Sequence, residues 1–128
     1  MKDNEREVFD GKEKKGEEEE RREECLRAAG DKGTDCEISC APVRRDLGDA
    51  HAYRARELGV PLVINTDSHH HTHLDKRRFG VAVARRAWCR PEDILNTMSR
   101  DEFLKFIRTP KPQRISVFDE RRNGTAPA

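Results

Sequence analysis

The chain has 128 residues, of which 40% are charged and 34% hydrophobic, so it has room for one domain with a small hydrophobic core. Its formal net charge of +1 excludes a strong overall attraction to nucleic acid or to an anionic membrane. No apolar run approaches the roughly 20 residues that a membrane helix needs, and the first residues are charged, so we expect a cytoplasmic protein without a membrane span.

Residues 1–30 form a charged segment with almost no apolar surface. Residues 17–20 are four consecutive glutamates, and two arginines follow them. Such a segment is either a solvated helix or disordered. Cys25, Leu26 and two alanines precede Gly30, which predicts that the last turns are helical and end at this glycine.

A strand, a helix and a second strand are predicted next. Residues 35–40 alternate roughly between polar and apolar side chains, as a short strand does. Asp46 or Asp49 can cap a helix that ends at Gly59. Residues 60–65 are apolar and β-branched, which is typical of a strand covered on both faces. This order predicts parallel strands joined by a right-handed crossover, with functional groups at the carboxyl ends of the strands.

Short helices and a tail are predicted downstream. Residues 79–88 indicate a helix or helix-like turn, another short helix begins at Pro91, and the S-R-D-E sequence at 99–102 is a capping box for a helix over 103–107. Prolines and charges return from residue 109. The predicted organisation is therefore a charged segment over 1–30, a folded part over 31–108 and a flexible tail over 109–128.

Asp67 and His69 directly follow the second predicted strand and are the candidate metal ligands. They are two residues apart, so in extended backbone their side chains point to the same side. A carboxylate and an imidazole together suit Mn, Zn or Fe better than Mg or Ca, which favour all-oxygen shells. The alternative is a polar loop, because a D-x-H triplet by itself is common.

His70, His71 and His73 extend the histidine cluster. Clustered imidazoles bind transition metals even in a disordered segment. Ordered sites, however, take their ligands from separate elements. We therefore expect His69 to be the ordered ligand and the other three histidines to be mostly surface groups.

The four cysteines are expected to be free thiols, as in a reducing compartment. An alternative interpretation places Cys36 and Cys40 in a small zinc-binding module with two of the histidines. If both cysteines lie on the predicted strand, they are about 13 Å apart, too far to share one ion with bonds of about 2.3 Å. The zinc module requires residues 35–40 to form a helix or a loop.

Several motifs in order resemble the last part of a polymerase and histidinol phosphatase (PHP) domain, in the version attached to bacterial and archaeal family X DNA polymerases. The resemblance covers residues 35–106 and is specific because spaced motifs agree, although position 45 has arginine where leucine is usual. The matching segments are E-I-S at 37–39, P-V-R-R-D-L at 42–47, E-L-G-V-P-L-V-I-N-T-D-S-H at 57–69, F-G-V-A-V-A-R-R-A-W at 79–88 and D-I-L-N-T at 93–97.

The resemblance implies an α/β fold, namely the last strands and helices of a PHP-type distorted (β/α)7 TIM-like barrel, after the charged segment. It implies a metal cluster that hydrolyses phosphoesters, as a 3′-5′ exonuclease or a related DNA-end-processing activity in DNA repair. The family's metal ligands carry over onto Asp67 and His69, with Mn or Zn expected before Mg. Glu37 and Arg44 match family positions near the site and are expected only to support it.

The family draws most of its ligands from earlier strands, beginning with an H-x-H motif that this sequence lacks before His69. Only His51 lies upstream of the cluster, and we expect it to be a surface or packing residue. Two strands cannot close a barrel and would expose unpaired edges. We therefore expect a carboxy-terminal remnant or truncated product with little activity alone, or a chain whose sheet a partner completes. A non-catalytic structural or interaction role is the second hypothesis.

Arg85 and Arg86, followed by Trp88, are candidate phosphate or DNA contacts. Arginine forks match phosphate oxygens, and DNA is the partner of the parent family. The alternative is a solvated helix face with Trp88 in the core. Low aromatic content and a near-neutral charge argue against independent DNA binding.

Overall fold

The computed structural model describes residues 3–41 and 46–124, and residues 3–13 only as backbone. The protein has a mixed α/β structure that is mostly helical, with one two-stranded parallel sheet in the described residues. The described residues include three short 3₁₀ helices at His71–Lys76, Pro91–Asp93 and Leu95–Thr97. The main elements are α1 (Asp3–Lys32), β1 (Cys36–Ser39), α2 (Asp49–Glu57), β2 (Leu62–Asn65), α3 (Arg77–Arg86), α4 (Arg100–Arg108) and α5 (Lys111–Arg122).

The two predicted strands are confirmed and they pair in parallel, with Cys36 opposite Leu62 and Ser39 opposite Asn65. One face of the sheet carries Ile38 and Leu62, both fully buried in a cluster with alanines of α2 and α3. The opposite face carries Glu37 and Ser39, which border an open cavity. On this face Glu37 and Ser39 are thus accessible from the cavity, while Val63, which is opposite Glu37, packs against Leu95, Phe106 and Phe118.

The outer edge of β2 is occupied, although the sequence led us to expect unpaired edges. Leu62 forms a parallel bridge with Ile94. Further along, the Asn96 side chain accepts the N–H of Ile64 at 2.7 Å and donates to the carbonyl of Ile64 at 2.9 Å. A side-chain amide has the same donor and acceptor as a peptide group, so Asn96 replaces a neighbouring strand at this position.

The outer edge of β1 is occupied in a similar way by the segment that leads into α2. The N–H of Ser39 donates to the carbonyl of Asp46 at 2.7 Å, and the N–H of Leu47 donates to the carbonyl of Glu37 at 3.4 Å. The expectation of exposed edges was therefore wrong at these positions, because short local segments take the place of strands.

α1 is a continuous helix that runs past the predicted stop at Gly30 and ends before Gly33, which has a φ of 68°. Gly30 has a packing role, since a Cβ atom there would lie 2.9 Å from the carbonyl oxygen of Leu58. Leu26 is buried in the same cluster as Ile38. The last turns of α1 thus belong to the hydrophobic core. Even this 30-residue helix is too charged to span a membrane, and no other helix in the described part of the chain could do so.

A helix occupies most of the segment that was predicted to be a flexible tail. α5 buries Phe118, which is 1% exposed and packs with Leu95 and Phe106 in a second cluster. Pro112 lies in the first turn of α5, where its lack of an N–H costs no hydrogen bond. The prolines therefore mark the start of a helix. The domain boundaries at residues 30/31 and 108/109 stay predictions.

The predicted helix starts have mixed outcomes. The capping box is confirmed, because the Ser99 hydroxyl accepts the N–H of Glu102 and the Glu102 carboxylate accepts the N–H of Ser99 at 2.7 Å. The 3₁₀ helix at Pro91–Asp93 and α3 are also where the sequence predicted helices. For α2 the prediction was wrong, since Gly48 is the cap and Asp49 is the first helical residue.

Candidate functional site

His69 lies in the loop after β2, and its ring is oriented by the backbone. The Nδ1 atom of His69 lies 2.8 Å from the carbonyl oxygen of Asp67. Because a carbonyl can only accept, Nδ1 carries the proton and the lone pair of the neutral ring is on Nε2. Metal-binding histidines commonly have this arrangement, with one ring nitrogen bound to a carbonyl and the other free for the metal.

Asp67 is exposed and has a left-handed backbone, with a φ of 48°. Asparagine and aspartate adopt this conformation more readily than most residues. The extended backbone that we assumed for this pair was therefore wrong, and Asp67 contacts His69 through its carbonyl. No described residue hydrogen-bonds or ion-pairs with the Asp67 carboxylate. The carboxylate is thus available to a cation.

Asn65 holds Asp67 in place and was not singled out from the sequence. Its Oδ1 accepts the N–H of Asp67 at 3.2 Å, and its Nδ2 donates to a carboxylate oxygen of Glu37 at 3.1 Å. Glu37 therefore contacts the amide that bonds to Asp67, and its supporting role in the site stays a prediction. An amide at the end of an apolar strand was the signal that could have indicated Asn65. Arg44, the other predicted supporting residue, lies outside the described residues.

The other histidines use their ring nitrogens differently. Nδ1 of His70 accepts the N–H of Thr72 at 3.3 Å, and Nδ1 of His73 accepts the N–H of His69 at 3.4 Å. In the neutral rings the proton is then on Nε2, which leaves no free lone pair on these two histidines while the bonds hold. His71 is exposed and its ring lies 4.1 Å from that of His70. This supports His69 as the ordered ligand, which stays a prediction.

Among residues 14–41 and 46–124, no three side chains of histidine, cysteine, aspartate or glutamate converge closely enough to hold a metal ion. Asp67 and His69 are therefore candidate ligands through the chemistry of their donor atoms, a carboxylate oxygen and the Nε2 lone pair. Structural metal sites have four protein ligands and catalytic zinc sites commonly have three. Metal binding by this pair alone is therefore expected to be weak.

The cysteines of the alternative zinc module lie in extended chain. Cys36 is the first residue of β1, and the N–H of Cys40 continues the pairing with β2 at 2.9 Å. Burial raises the pKa of both thiols, which disfavours the thiolate that zinc requires. All four cysteines are free thiols, as predicted.

A cavity of about 600 Å³ lies beside Glu37 and Asp67, between the strand ends and α1. The sequence did not indicate that α1 would form its wall. His51 helps to place that wall, since its Nδ1 lies 3.2 Å from Arg22 and its Nε2 lies 3.3 Å from Glu19. His51 therefore has the packing role that was expected for it.

Arg85 and Arg86 are exposed at the end of α3 and do not line this cavity. Neither forms an ion pair with a described carboxylate. Trp88 is 75% exposed, so its predicted core position was wrong. The helix ends just before it, and Ala87 takes the fully buried position. Trp88 and both arginines are therefore exposed, and none of the three lines the cavity beside Asp67.

No protein-family model matches the chain. Among curated proteins, the chain is similar to the DNA polymerase/3'-5' exonuclease PolX of Bacillus subtilis (strain 168), with 39% identity over 75 residues. The chain is thus related to part of a PolX protein. The similarity covers 59% of this chain but only 13% of PolX, so the chain spans a small fraction of its relative. The relationship agrees with the resemblance to family X DNA polymerases.

Proposed function

We propose that the chain is a segment of a PHP-type, metal-dependent phosphoesterase that acts on DNA ends and is related to the 3′-5′ exonuclease function of PolX. The arrangement after β2 carries this proposal, because neither Nε2 of His69 nor the Asp67 carboxylate is bonded to any residue that the structure describes. The parallel strand pair with its helical connection supports a partial (β/α)7 barrel as the parent fold. The similarity to PolX supports DNA as the partner.

In this proposal Asp67 and His69 hold a divalent metal, with Mn²⁺ or Zn²⁺ preferred over Mg²⁺ because the ligands are mixed oxygen and nitrogen. A metal bound there supplies Lewis-acid stabilisation of phosphate charge and activation of water. Glu37 positions Asp67 through the Asn65 amide. Arg44 is proposed to support the site only because it lies in the P-V-R-R-D-L motif at 42–47.

The isolated chain is proposed to have little or no nuclease activity. Two protein ligands leave an ion with several open positions, so it is held neither tightly nor in one geometry. Additional ligands, from a preceding segment or from a partner chain, are needed to position catalytic ions. The second candidate, a non-catalytic structural or interaction role, is favoured by the same shortage of ligands in the described part of the chain.

Arg85 and Arg86 are proposed as secondary contacts to DNA phosphates. Their support is exposure and the lack of a described carboxylate partner, which leaves both guanidinium groups free for phosphate oxygens. In contrast, Arg54 and Arg122 form ion pairs at 2.6 Å and 2.8 Å.

Metal titration of the purified full chain tests the proposal. We expect one Mn²⁺ to bind, measured by the loss of the free Mn²⁺ signal in electron paramagnetic resonance. Changes around a metal site commonly reduce affinity by about 10–100-fold, so Asp67→Ala and His69→Ala are each expected to weaken binding at least that much. His70→Ala is the matched control, because the His70 ring hydrogen-bonds to Thr72 and not to Asp67 or His69, and it should bind Mn²⁺ as the unmodified chain does.

Two results would contradict the proposal in different ways. Equal Mn²⁺ binding by the unmodified chain and by Asp67→Ala would refute the proposed metal site and would favour the non-catalytic role. Robust Mn²⁺-dependent digestion of a 3′-labelled oligonucleotide, abolished by Asp67→Ala, would instead show that the chain is active by itself.

A further inference from the structure

A second cavity of about 390 Å³, here called the α3 cavity, lies between α3 and residues 89–97. The residues of α3 that line it occupy positions 77, 81, 84 and 85, which is the spacing of a single helical face. Ile64 of β2 and Ile94 supply more apolar surface. The α3 cavity shares no described lining residue with the cavity beside Asp67, so it is a separate candidate site.

Several polar groups of the lining already have partners within the protein. Both backbone groups of Ile64 are bonded to the Asn96 side chain, at 2.7 Å and 2.9 Å. The Thr97 hydroxyl donates to the carbonyl of Ile94 at 2.8 Å and accepts a hydrogen bond from Arg121 at 2.9 Å. An apolar group can therefore enter the α3 cavity without leaving these donors and acceptors unpaired, which would otherwise weaken its binding.

The charge of the lining is positive. Arg77 and Arg85 are exposed, and no described residue hydrogen-bonds or ion-pairs with either guanidinium group. Arg90 also lines the α3 cavity and is engaged, since it donates to the carbonyl of Arg122 at 3.3 Å. None of the described lining residues has a carboxylate, and burial raises the pKa of the Cys89 thiol, so this thiol stays neutral. The lining therefore favours an anionic group beside an apolar one.

We infer that the α3 cavity binds a small molecule with an apolar body and one carboxylate group, and that Arg85 binds the carboxylate. The N–H of Cys89 donates to the carbonyl of Ala84 at 3.0 Å, which places Arg90 at the same end of the cavity as Arg85. A guanidinium group binds a carboxylate through charge-assisted hydrogen bonds. The volume is in the range of small-ligand sites, about 300 to 1,000 Å³. The inference goes beyond the proposed function, because it involves neither a metal nor DNA.

Isothermal titration of the full chain with octanoate, in the presence of EDTA, tests the inference. We expect one octanoate to bind per chain. Octanol has the same alkyl chain without the charge and should bind about tenfold more weakly or worse, because a hydrogen bond to a charged group contributes at least that factor. Acetate has the carboxylate without the alkyl chain and should show no measurable binding, since exposed charge pairs contribute little.

Arg85→Ala removes the inferred carboxylate contact. It should weaken octanoate binding by about tenfold or more and change octanol binding by less than about twofold. Arg86→Ala is the matched control, because it removes the same charge from the next residue of α3, which is exposed and does not line the α3 cavity. It should leave the octanoate affinity within about twofold, since salt screens charges that make no contact with the ligand.

A second pair of variants tests the location without changing charge. Val81 lines the α3 cavity and is 45% exposed, so Val81→Gln places a polar amide there without burying it in the core. This variant should weaken the binding of octanoate and of octanol alike, because it removes apolar contact surface. Ala82→Gln is its matched control, at the next exposed position of α3 and outside the lining. Circular dichroism checks that both variants keep their helices.

The inference is wrong if octanoate does not bind, if it binds equally well to Arg85→Ala and Arg86→Ala, or if Val81→Gln has no effect. Octanol binding as tight as that of octanoate would show an apolar cavity without a carboxylate contact, and would overturn the inference as well. None of these results bears on Mn²⁺ binding by Asp67 and His69, so the proposed function stands or fails by its own titration.

Discussion

Replacing Asp93 with alanine should destabilise the fold more than any surface substitution. The Asp93 side chain is 1% exposed and accepts hydrogen bonds from Arg122 at 2.8 Å, from Arg56 at 3.3 Å and from the N–H of Arg90 at 2.8 Å. These partners lie on α5, on α2 and at the start of a 3₁₀ helix. One carboxylate thus joins three parts of the chain that are distant in sequence.

The magnitude follows from what Asp93→Ala leaves behind. Removal of one partner of a buried ion pair costs about 3–5 kcal/mol, because the other charge stays desolvated. The side chains of Arg56 and Arg122 are 25% and 19% exposed, so water partly reaches them. The expected loss is therefore near the lower end, about 3 kcal/mol, against a total stability of about 5–15 kcal/mol for a typical domain.

Urea denaturation followed by far-ultraviolet circular dichroism measures this loss. Glu92→Ala is the matched control, because its neighbouring carboxylate is 44% exposed and lies 4.0 Å from Arg90. Surface changes of this kind usually stay within about 0.5 kcal/mol. The reasoning would be refuted if Asp93→Ala and Glu92→Ala reduced the free energy of unfolding equally, or if Asp93→Ala cost less than about 1 kcal/mol.

Two further predictions concern the helices that follow β2. Phe118→Ala should reduce the free energy of unfolding, measured by urea denaturation, by about 3–5 kcal/mol. Phe103→Ala, at a 41% exposed position on α4, should reduce it much less. Equal losses for the two variants would contradict the packing of α5. The hydrogen bond from the N–H of Ser99 lowers the pKa of the Glu102 carboxyl below its ordinary value of 4.5. The stabilising contribution of the Glu102 carboxylate is therefore present above that pH and is lost as the pH falls through the lowered pKa. We expect Glu102→Gln to reduce the free energy of unfolding at about neutral pH and not in strong acid. If the difference between the two chains were the same at every pH, this linkage would be ruled out.

The elements that depend on local pattern could be predicted from the sequence. The alternation at 35–40, the β-branched run at 60–65 and the capping box at 99–102 each act over a few residues, and all three were found where expected. The order strand, helix, strand then limits the topology to parallel pairing, which the structure has. Local rules were sufficient for these features.

The elements that depend on tertiary packing could not be predicted in this way. α5 is rich in charged residues, so its pattern does not indicate a core helix. It is held in the fold by Phe118, which is buried against Leu95 and Phe106. Gly30 resembles a helix cap in sequence but allows close approach to Leu58. Trp88 follows the end of α3, has a left-handed backbone with a φ of 59° and is exposed. In each case the outcome depends on a distant neighbour or on a single backbone angle.

The place of Asp67 and His69 in a loop directly after a strand could be predicted from the sequence, and their role as metal ligands stays a prediction. The protonated nitrogen of His69, the left-handed backbone of Asp67 and the support from Asn65 follow only from the geometry. The α1 wall was also beyond the sequence, because the packing of a charged helix against the strand ends depends on its contacts with α2.

The hydrogen bonds of Asn96 to both polar groups of Ile64 have a consequence for self-association. A two-stranded sheet with open edges is a template for the addition of strands from other copies, which leads to domain swapping or fibrils. Here an incoming strand would first have to displace the amide of Asn96 and the bridge at Ile94. At the described edge of β2, pairing between copies is therefore opposed by bonds that each molecule already makes to Leu62 and Ile64.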